Sequence, residues 1–325
     1  MRASSFLICV WCIITAPGCI VIPIGDLLKG PVMQEQVLVE GAGFFSKEKI
    51  AIVDIRGVIE GDERQSLLFP QENVVAETKA QLEFAGSDSQ VKAVVLRVSS
   101  PGGEVTACDT VAREIRKFRE RTKIPVVGCI GDIGASGGYY VAVSSDVLYA
   151  HPTSIVGSIG VILQHFDLSG LLEKVGVSST PVKSSPKKDI NSLFRPLTDE
   201  ERQILQKLVD DMYKRFVDTV AEGRRDLSRE QVLSLADGRV VSGMEAATLK
   251  LVDKVGYMED AVAEAQRLGK IESPTIVRYT RVAKSGANIY TQLGSDRPAA
   301  GEIRLTLGPG QASTPRLYYL WQPGS

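Results

Sequence analysis

The chain has 325 residues, of which 44% are hydrophobic and 24% are charged, with a formal net charge of −1. This composition is close to that of soluble globular proteins, which excludes a disordered chain, a collagen and a multi-span membrane protein. The length is enough for about one or two domains with a sizeable core, and the near-neutral charge provides no electrostatic surface for a nucleic acid.

The first predicted element is an N-terminal membrane segment. Residues 6–24 carry no charge, and this run is about as long as a bilayer core is thick. Arg2 precedes the run and favours export of the body of the chain. Residues 16–19 (APGC) are similar to a bacterial lipoprotein cleavage box in which Cys19 would be lipidated, although Ala16 stands where a larger aliphatic residue is usual. An uncleaved anchor, a lipoprotein signal and a removed signal peptide are therefore all open, and each of them exports the body.

The next elements alternate between strands and helices. In chain order, the pattern predicts a strand at 50–55, a helix at 73–86, a strand at 91–98, a helix ending at Thr122, a strand at 124–129, a helix after the glycine-rich residues 131–138, and a strand at 146–150. The run 91–98 is almost continuously apolar, which is typical of a strand covered on both faces. This alternation predicts βαβ units with a parallel sheet, and hence an α/β fold.

Helices are predicted for the C-terminal half. Residues 198–201 (TDEE) form a capping box that begins a long helix. Its apolar side chains recur every three or four residues and predict a packed face: Leu205, Leu208, Met212, Phe216 and Val220. Further helices are predicted near 228–236 and 243–268. The resulting segments are a signal or anchor at 1–30, a linker at 31–47, a globular domain at 48–270, and a C-terminal strand with a weakly ordered tail at 271–325.

The cysteines and histidines limit the metal chemistry. Outside the N-terminal apolar run, the cysteines are Cys108 and Cys129, and these two do not have CxxC spacing. His151 and His165 have no metal-ligand pattern around them. We therefore expect two small, buried, apolar cysteines and neither a metal nor another cofactor.

The glycine-rich residues 134–140 (GASGGYY) contain the candidate nucleophile. Ser136 lies at a predicted strand-to-helix junction between glycines, which leave its hydroxyl with little steric cover. The N–H groups that follow begin a helix, whose N-terminus favours a developing negative charge. This arrangement suits a nucleophile beside an oxyanion donor. A glycine turn for close packing and a phosphate cradle are the alternatives.

The spacing of the histidines does not support a Ser-His-Asp triad, so the base for Ser136 must be another residue. The segment matches G-x-S-x-G, as in α/β-hydrolases, whose acid and histidine lie far downstream. Here the histidines lie only 15 and 29 residues after Ser136. A lysine is then the candidate base. Burial or a neighbouring cation would lower its pKa, so that the lysine is neutral and can accept a proton. Gly102 and Gly103 follow a predicted strand at the edge where ligands gather. The Gly103 N–H could face the same oxygen as the Gly137 N–H, although a plain turn explains this glycine pair equally well.

Four blocks occur in a family-specific order. They are residues 100–103 (SPGG), 135–140 (ASGGYY), 157–161 (GSIGV) and 236–240 (ADGRV), the last continuing into 251–256 (LVDKVG). Together they resemble the bacterial signal peptide peptidase A family, membrane-anchored Ser-Lys proteases of the Clp protease/crotonase fold superfamily. The resemblance spans about residues 48–268. It implies repeated ββα units with parallel sheets and packed C-terminal helices.

The resemblance also implies a Ser-Lys dyad. The serine of the second block falls on Ser136, the implied nucleophile. The implied base lies within residues 183–189 (KSSPKKD), and alignment of the flanking residues assigns it to Lys188. Ser185 and its successors depart from the family pattern, so Lys187 is a rival. Without the resemblance, a Lys-Lys-Asp run is typical of a solvated loop.

The remaining roles follow from the same resemblance. Gly103 and Gly137 become oxyanion donors, and Ser158 helps to hold the lysine, although a G-S-I-G turn also has a structural explanation. Family members form bowl-like homo-oligomers, need neither ATP nor metal, and degrade cleaved signal peptides and other apolar peptides. We therefore expect a homo-oligomeric serine endopeptidase for short hydrophobic peptides. Its catalytic domain is expected on the extracytoplasmic side of a bacterial cell membrane.

Two other classes of function compete with this one. A crotonase-type acyl-CoA enzyme uses similar oxyanion donors, but it would need carboxylate acid/base residues and has no use for an export segment. A non-catalytic scaffold of a membrane complex would have no use for Ser136 together with a placed lysine. Labelling with a serine-directed fluorophosphonate separates the three, because we expect only the protease to react at Ser136.

Overall fold

The computed structural model describes residues 32–41, 47–61, 73–282 and 317–321. Of the described residues, 32–34 and 281–282 belong to a first unit, and 35–41, 47–61, 73–280 and 317–321 belong to a second, compact unit. All side-chain contacts given below lie within the second unit. The expected membrane segment, Cys19 and most of the C-terminal tail lie outside the described residues. Within those residues, no helix has both the length and the apolar character needed to cross a bilayer.

A mainly parallel sheet forms the centre of this unit. The described strands are β1 (Val32–Val39), β2 (Lys49–Arg56), β3 (Val91–Ser100), β4 (Gly102–Glu104), β5 (Val126–Ala135), β6 (Val147–Ala150), β7 (Ile155–Gly157), β8 (Val240–Ser242), β9 (Lys254–Val255), β10 (Thr275–Val282) and β11 (Tyr318–Leu320). The sheet order is β1-β10-β2-β3-β5-β6-β9, with β7 beside the end of β5 and β8 beside β7. From β10 to β9 the neighbours are parallel, whereas β7 and β8 are antiparallel.

Helices connect and cover the strands. The described helices are α1 (Val74–Ser87), α2 (Val105–Thr122), α3 (Gly137–Ala142), α4 (Ser169–Lys174), α5 (Asp199–Gly223), α6 (Arg229–Leu235), α7 (Gly243–Thr248) and α8 (Met258–Gly269), with a 3₁₀ turn at Pro186–Asp189. The capping box predicted for α5 is present, because Thr198 and Glu201 cap each other's backbone N–H groups. The predicted α/β class and the alternation of strands and helices up to β6 are confirmed.

The core lies on both faces of the sheet. One face carries a buried cluster shared with α8: Ile50, Ile52, Ala93, Val95, Val127, Cys129, Tyr149, Ala261, Ala265 and Ile271. Val53 and Val94 alternate with members of this cluster and are buried on the opposite face. Burying each such side chain stabilises the fold by about 1.5–3 kcal/mol. Strand β3 is therefore covered on both faces as predicted, and Cys108 and Cys129 are buried as predicted.

The single helix predicted over 243–268 is wrong. The structure ends α7 at Thr248, places β9 beside β6, and begins α8 at Met258. Lys250 has φ +60°, a left-handed conformation that interrupts a helix, and Leu251 and Val252 are buried beyond it. An apolar pattern that fits a helix also fits a buried strand, and tertiary packing decided between them here.

The packed face predicted for α5 is confirmed only in its C-terminal half. Phe216 and Val220 are fully buried, whereas Leu208 is 43% exposed. The buried half packs against α3 and α6. In the N-terminal half, Ile204 and Leu208 are exposed in the single chain, and Leu205 and Val209 are half-buried. Residues 32–39, within the range predicted as a linker, form β1.

Candidate active site

Ser136 lies at the junction between β5 and α3. Its backbone has φ +50° and ψ −119°, a conformation that residues with a Cβ rarely adopt and that occurs at functional sites. The Ser136 N–H donates to the Gly157 carbonyl (2.7 Å), and its carbonyl accepts from the Tyr140 N–H (2.9 Å). Strand β7 and helix α3 therefore hold this serine from both sides.

The Ser136 hydroxyl is unengaged but not open to solvent. It makes no capping bond to α3, and no hydrogen bond to it is found in the described part of the chain. The residue is only 2% exposed, although the flanking glycines predict little steric cover. The difference arises because Gly137 is packed against Gly102 and Tyr319, which lie beside the junction.

Gly137 combines both properties predicted for the glycine-rich segment. A Cβ on this residue would clash with Cys108 Sγ, so close packing excludes a side chain. Its N–H is the first of α3 and meets no acceptor among the residues that the structure describes. Burial raises the pKa of the Cys108 thiol, which therefore stays protonated and does not compete as a nucleophile. Gly137 thus offers an amide to a developing oxyanion.

Ser158 lies beside Ser136. Ala135 pairs with Gly157 between the parallel strands β5 and β7, and the two serines directly follow this pair. Ser158 also has φ +50°, and its N–H donates to the Arg239 carbonyl (2.6 Å). The structure thus brings the two serines together, while the role of Ser158 toward a lysine stays a prediction.

Gly103 has a main-chain partner that sequence reasoning missed. Strand β4 pairs antiparallel with β11, with Gly103 opposite Tyr319. The Trp321 N–H donates to the Pro101 carbonyl (2.8 Å) two residues away. The alternation of an antiparallel ladder then turns the Gly103 N–H toward Tyr319. An oxyanion or a substrate can use this N–H only after β11 has moved aside.

An aromatic cluster anchors β11. Tyr319 is fully buried, and its ring lies 5.1 Å from the Tyr140 ring and 4.6 Å from the Phe216 ring. Its hydroxyl donates to the Met212 carbonyl (2.8 Å). The only sequence signal was the aromatic run at 317–321, which ends a stretch rich in Gly, Ser and Pro. Composition predicted a weakly ordered tail there, whereas side-chain burial places this short run in the fold.

Tyr140 also fixes the helix that follows the candidate nucleophile. Its hydroxyl donates to Asp109 Oδ1 (2.5 Å) and accepts from Thr219 Oγ1 (3.0 Å), and Arg215 donates to the same carboxylate. Burial raises the pKa of Tyr140 to about 12, so the phenol stays neutral. These bonds tie α3 to α2 and α5, which restrains the backbone at Ser136.

Lys188 makes no hydrogen bond to Ser136 among the described residues. It is exposed on the 3₁₀ turn, and no hydrogen bond or ion pair of its ammonium is found among the described residues. The neighbouring Lys187 instead forms an ion pair with Glu200. Of the two rival lysines, Lys187 thus has an ion-pair partner among the described residues and Lys188 has none, and the choice of Lys188 as the base stays a prediction.

The segment around Lys188 is bonded mainly to itself. Within the described chain, the hydrogen bonds and ion pairs of residues 163–197 end on partners within residues 163–201. Large apolar side chains are exposed along it: Phe166, Leu168, Leu171, Val175, Val177, Val182 and Phe194. We call residues 163–197 the lysine segment. The apolar side chains of the lysine segment and the side chain of Lys188 are therefore exposed in the single chain.

The clefts found elsewhere among the described residues contain none of the candidate site residues. A cleft of about 740 Å³ lies where β3 and β5 begin, between residues 86–92 and 121–125, and no candidate site residue lines it. Ligands of parallel sheets gather at the opposite edge, where Ser136 lies. Across the described residues, no three His, Cys, Asp or Glu side chains are grouped to hold a metal.

A family model and several similar proteins indicate one class of enzyme. A family model described as peptidase family S49 matches residues 118–272, which include Ser136, Ser158 and Lys188. An inferred protease of Methanocaldococcus jannaschii is 40% identical over 74% of this chain and 77% of its own. An inferred signal peptide peptidase SppA of Enterococcus faecium is 37% identical over 75% of this chain and 70% of its own. Protease 4 of Salmonella typhi is 37% identical over 69% of this chain but only 35% of its own.

Proposed function

This chain belongs to peptidase family S49 and is a serine-type peptidase, and we propose that Ser136 is its nucleophile and Lys188 its general base. The observation that carries the proposal is the junction at Ser136. There a left-handed backbone, an unengaged hydroxyl and the open Gly137 amide meet at the end of a parallel strand. A strained serine beside a free helix N–H is the geometry that acyl transfer requires.

The proposed reaction begins with proton transfer. Neutral Lys188 Nζ takes the proton from Ser136 Oγ as the oxygen attacks the carbonyl carbon of the peptide bond. The carbonyl oxygen becomes negative and is stabilised by the Gly137 N–H, and by the Gly103 N–H once β11 has moved. The Lys188 ammonium then protonates the leaving amine, and an acyl ester remains on Ser136. Lys188 finally activates the water that hydrolyses this ester.

Lys188 is proposed to reach Ser136 from a neighbouring copy of the chain. Three features support this: the exposed lysine, the lysine segment that bonds to itself, and the apolar side chains along that segment. Open apolar side chains on the N-terminal half of α5, Ile204 and Leu208, extend the same surface. Such a surface is typical of an interface between subunits. We therefore propose a homo-oligomer in which each site is completed by its neighbour.

Short hydrophobic peptides, including cleaved signal peptides, are the proposed substrates. The E. faecium relative carries the name of a signal peptide peptidase. The residues flanking the site here, Ala135, Tyr139, Ile155 and Ile159, have uncharged side chains. The antiparallel pairing of β11 with β4 supports a binding mode in which an extended peptide replaces β11 and gains the same main-chain bonds. Affinity would then come from the backbone, and preference from apolar side chains.

We expect peptides with Leu, Phe, Tyr or Ala before the scissile bond to be cleaved at least tenfold faster than peptides with Asp or Lys there. An apolar pocket discriminates by about 10- to 200-fold. A peptide-library digest with the detergent-solubilised full chain measures this, with Ser136→Ala as the blank. A second preparation lacking residues 317–325 checks that β11 does not impose the preference. Equal cleavage after charged residues would contradict the apolar pocket and the signal-peptide substrate.

Export to the membrane is proposed from the uncharged run at residues 6–24. We expect the full chain to fractionate with membranes, and a reporter fused after residue 47 to be active outside the cytoplasm. If the chain incorporates labelled palmitate and Cys19→Ser abolishes this incorporation, the chain is a lipoprotein. If a membrane-bound chain incorporates no palmitate, the N-terminal segment is an uncleaved anchor. A reporter active only in the cytoplasm would contradict export.

The finer fold assignment belongs to the same proposal. The parallel order β2-β3-β5 and the antiparallel β4–β11 pair beside it support repeated ββα units of the Clp protease/crotonase kind. A crystal structure of the full chain superposed on members of that superfamily would test the assignment. A different connectivity of these strands would contradict it.

A further inference from the structure

One arginine joins the lysine segment to the long helix. The Arg195 guanidinium donates to both carboxylate oxygens of Asp189, from Nη2 to Oδ1 (2.7 Å) and from Nε to Oδ2 (3.0 Å). It also donates to both oxygens of Glu201, from Nη1 to Oε2 (2.8 Å) and from Nη2 to Oε1 (2.5 Å). Two bidentate pairs use the planar guanidinium on two sides, a geometry that lysine cannot reproduce.

Glu201 is the fixed end of this connection. It is 3% exposed and lies in the first turn of α5, where its carboxylate accepts from the Thr198 N–H (3.0 Å) and its own N–H donates to Thr198 Oγ1 (3.2 Å). Hydrogen bonds from Arg195 and Thr198 lower the pKa of Glu201 to about 2, so it is ionised at any physiological pH. The carboxylate therefore has a single position set by the helix cap.

Asp189 is the residue of this connection that lies next to the proposed base, because it directly follows Lys188. Besides Arg195, it accepts from Lys183 Nζ (2.7 Å), so it closes the segment on both sides of the 3₁₀ turn. That turn has four residues and none of them is buried. Such a short 3₁₀ turn has little stability of its own. The position of Lys188 thus depends on what holds Asp189.

We propose that Asp189, Arg195 and Glu201 act as positioning residues that hold Lys188 where it can take the proton from Ser136. This inference rests on the proposed function of Lys188 as the base. The side chains of Asp189, Arg195 and Glu201 are 16%, 28% and 4% exposed, so these partly buried bidentate pairs fix one geometry next to Lys188. A misplacement of about 1 Å at a catalytic group can cost about 100-fold in rate.

The neighbouring pair provides a matched control. Glu200 lies beside Glu201 in the same helical turn and binds Lys187, which precedes Lys188 on the same 3₁₀ turn. Its side chain is 68% exposed, against 4% for Glu201. The two glutamates thus differ in burial and in bidentate geometry, although both connect α5 to the lysine segment. We expect only the loss of the Glu201 connection to affect the reaction.

The test compares Arg195→Lys, Glu201→Gln and Glu200→Gln in the full chain, with a synthetic signal peptide as substrate. We expect the first two to lower kcat by about 10- to 100-fold with KM within about twofold of wild type, because the base and not the peptide is displaced. Glu200→Gln should keep kcat within about twofold. The double variant Lys188→Met/Arg195→Lys is compared with Lys188→Met by the residual rate of fluorophosphonate labelling of Ser136. We expect the two rates to be equal, because a positioning residue acts only through its partner.

Each outcome decides the inference. A wild-type kcat in Arg195→Lys and Glu201→Gln would overturn it, as would an equal further loss in the Lys188→Met background. Where circular dichroism shows that Arg195→Lys does not fold, Asp189→Asn, which keeps the side-chain shape, takes its place with the same expectation. A Lys188→Met chain with normal activity would instead refute the proposed function itself. The two failures are therefore distinguishable.

Discussion

Ser136→Ala is expected to lower kcat/KM for a signal peptide by at least about 1,000-fold while the fold and the assembly are retained. Removal of a nucleophile leaves only the contribution of the oxyanion donor and of binding. The hydroxyl makes no hydrogen bond among the described residues, so its loss leaves no polar group unsatisfied. Peptide cleavage, fluorophosphonate labelling and thermal unfolding of the same preparation measure the three parts of this expectation.

A second serine serves as the matched control for this variant. Ser154 is also buried near the end of a strand, but its hydroxyl donates to the Ile130 carbonyl (3.0 Å). Ser154→Ala should therefore lower the free energy of unfolding by about 1–3 kcal/mol and leave kcat within a few fold. Residual activity of Ser136→Ala above about a thousandth of wild type would exclude Ser136 as the nucleophile.

Lys188→Met is expected to be as damaging as Ser136→Ala, and Lys187→Met much milder. Methionine keeps the length of the side chain but cannot accept a proton, whereas Lys187 already forms an ion pair with Glu200. Steady-state cleavage of the same peptide by the two variants decides between the rival lysines. If Lys187→Met is the more severe, the base lies one residue earlier than proposed.

Mixing two inactive variants tests whether the lysine comes from a neighbour. Co-expressed Ser136→Ala and Lys188→Met chains form some sites with an intact serine from one chain and an intact lysine from the next. Random mixing in equal amounts restores roughly a quarter of the sites of a cyclic oligomer. Differently tagged chains purified in sequence ensure that only mixed oligomers are measured. Mixed oligomers without activity would place Lys188 and Ser136 of the same chain in one site.

Local signals in the sequence determined most of the central domain. The apolar run of β3, the capping box of α5 and the glycine-flanked Ser136 are each encoded within a few neighbouring residues. The structure has them where the sequence predicted them. Such signals are readable because strand burial, helix caps and strand-to-helix turns depend on residue type at short spacing. The resemblance to one family likewise rested on four short blocks, and the comparisons with known proteins confirmed it.

Only the tertiary structure decided the contacts between distant segments. It split the helix expected over 243–268, because Lys250 adopts a left-handed backbone, Leu251 and Val252 are buried just beyond it, and Lys254–Val255 pairs with β6. It placed Tyr319 from the tail against β4, since a buried aromatic cluster outweighs the composition around it. It also left Lys188 exposed and without a side-chain hydrogen bond among the described residues, and it joined Asp189 to Glu201 through Arg195. These outcomes depend on burial and geometry between residues far apart in the chain, which no short pattern in the sequence records.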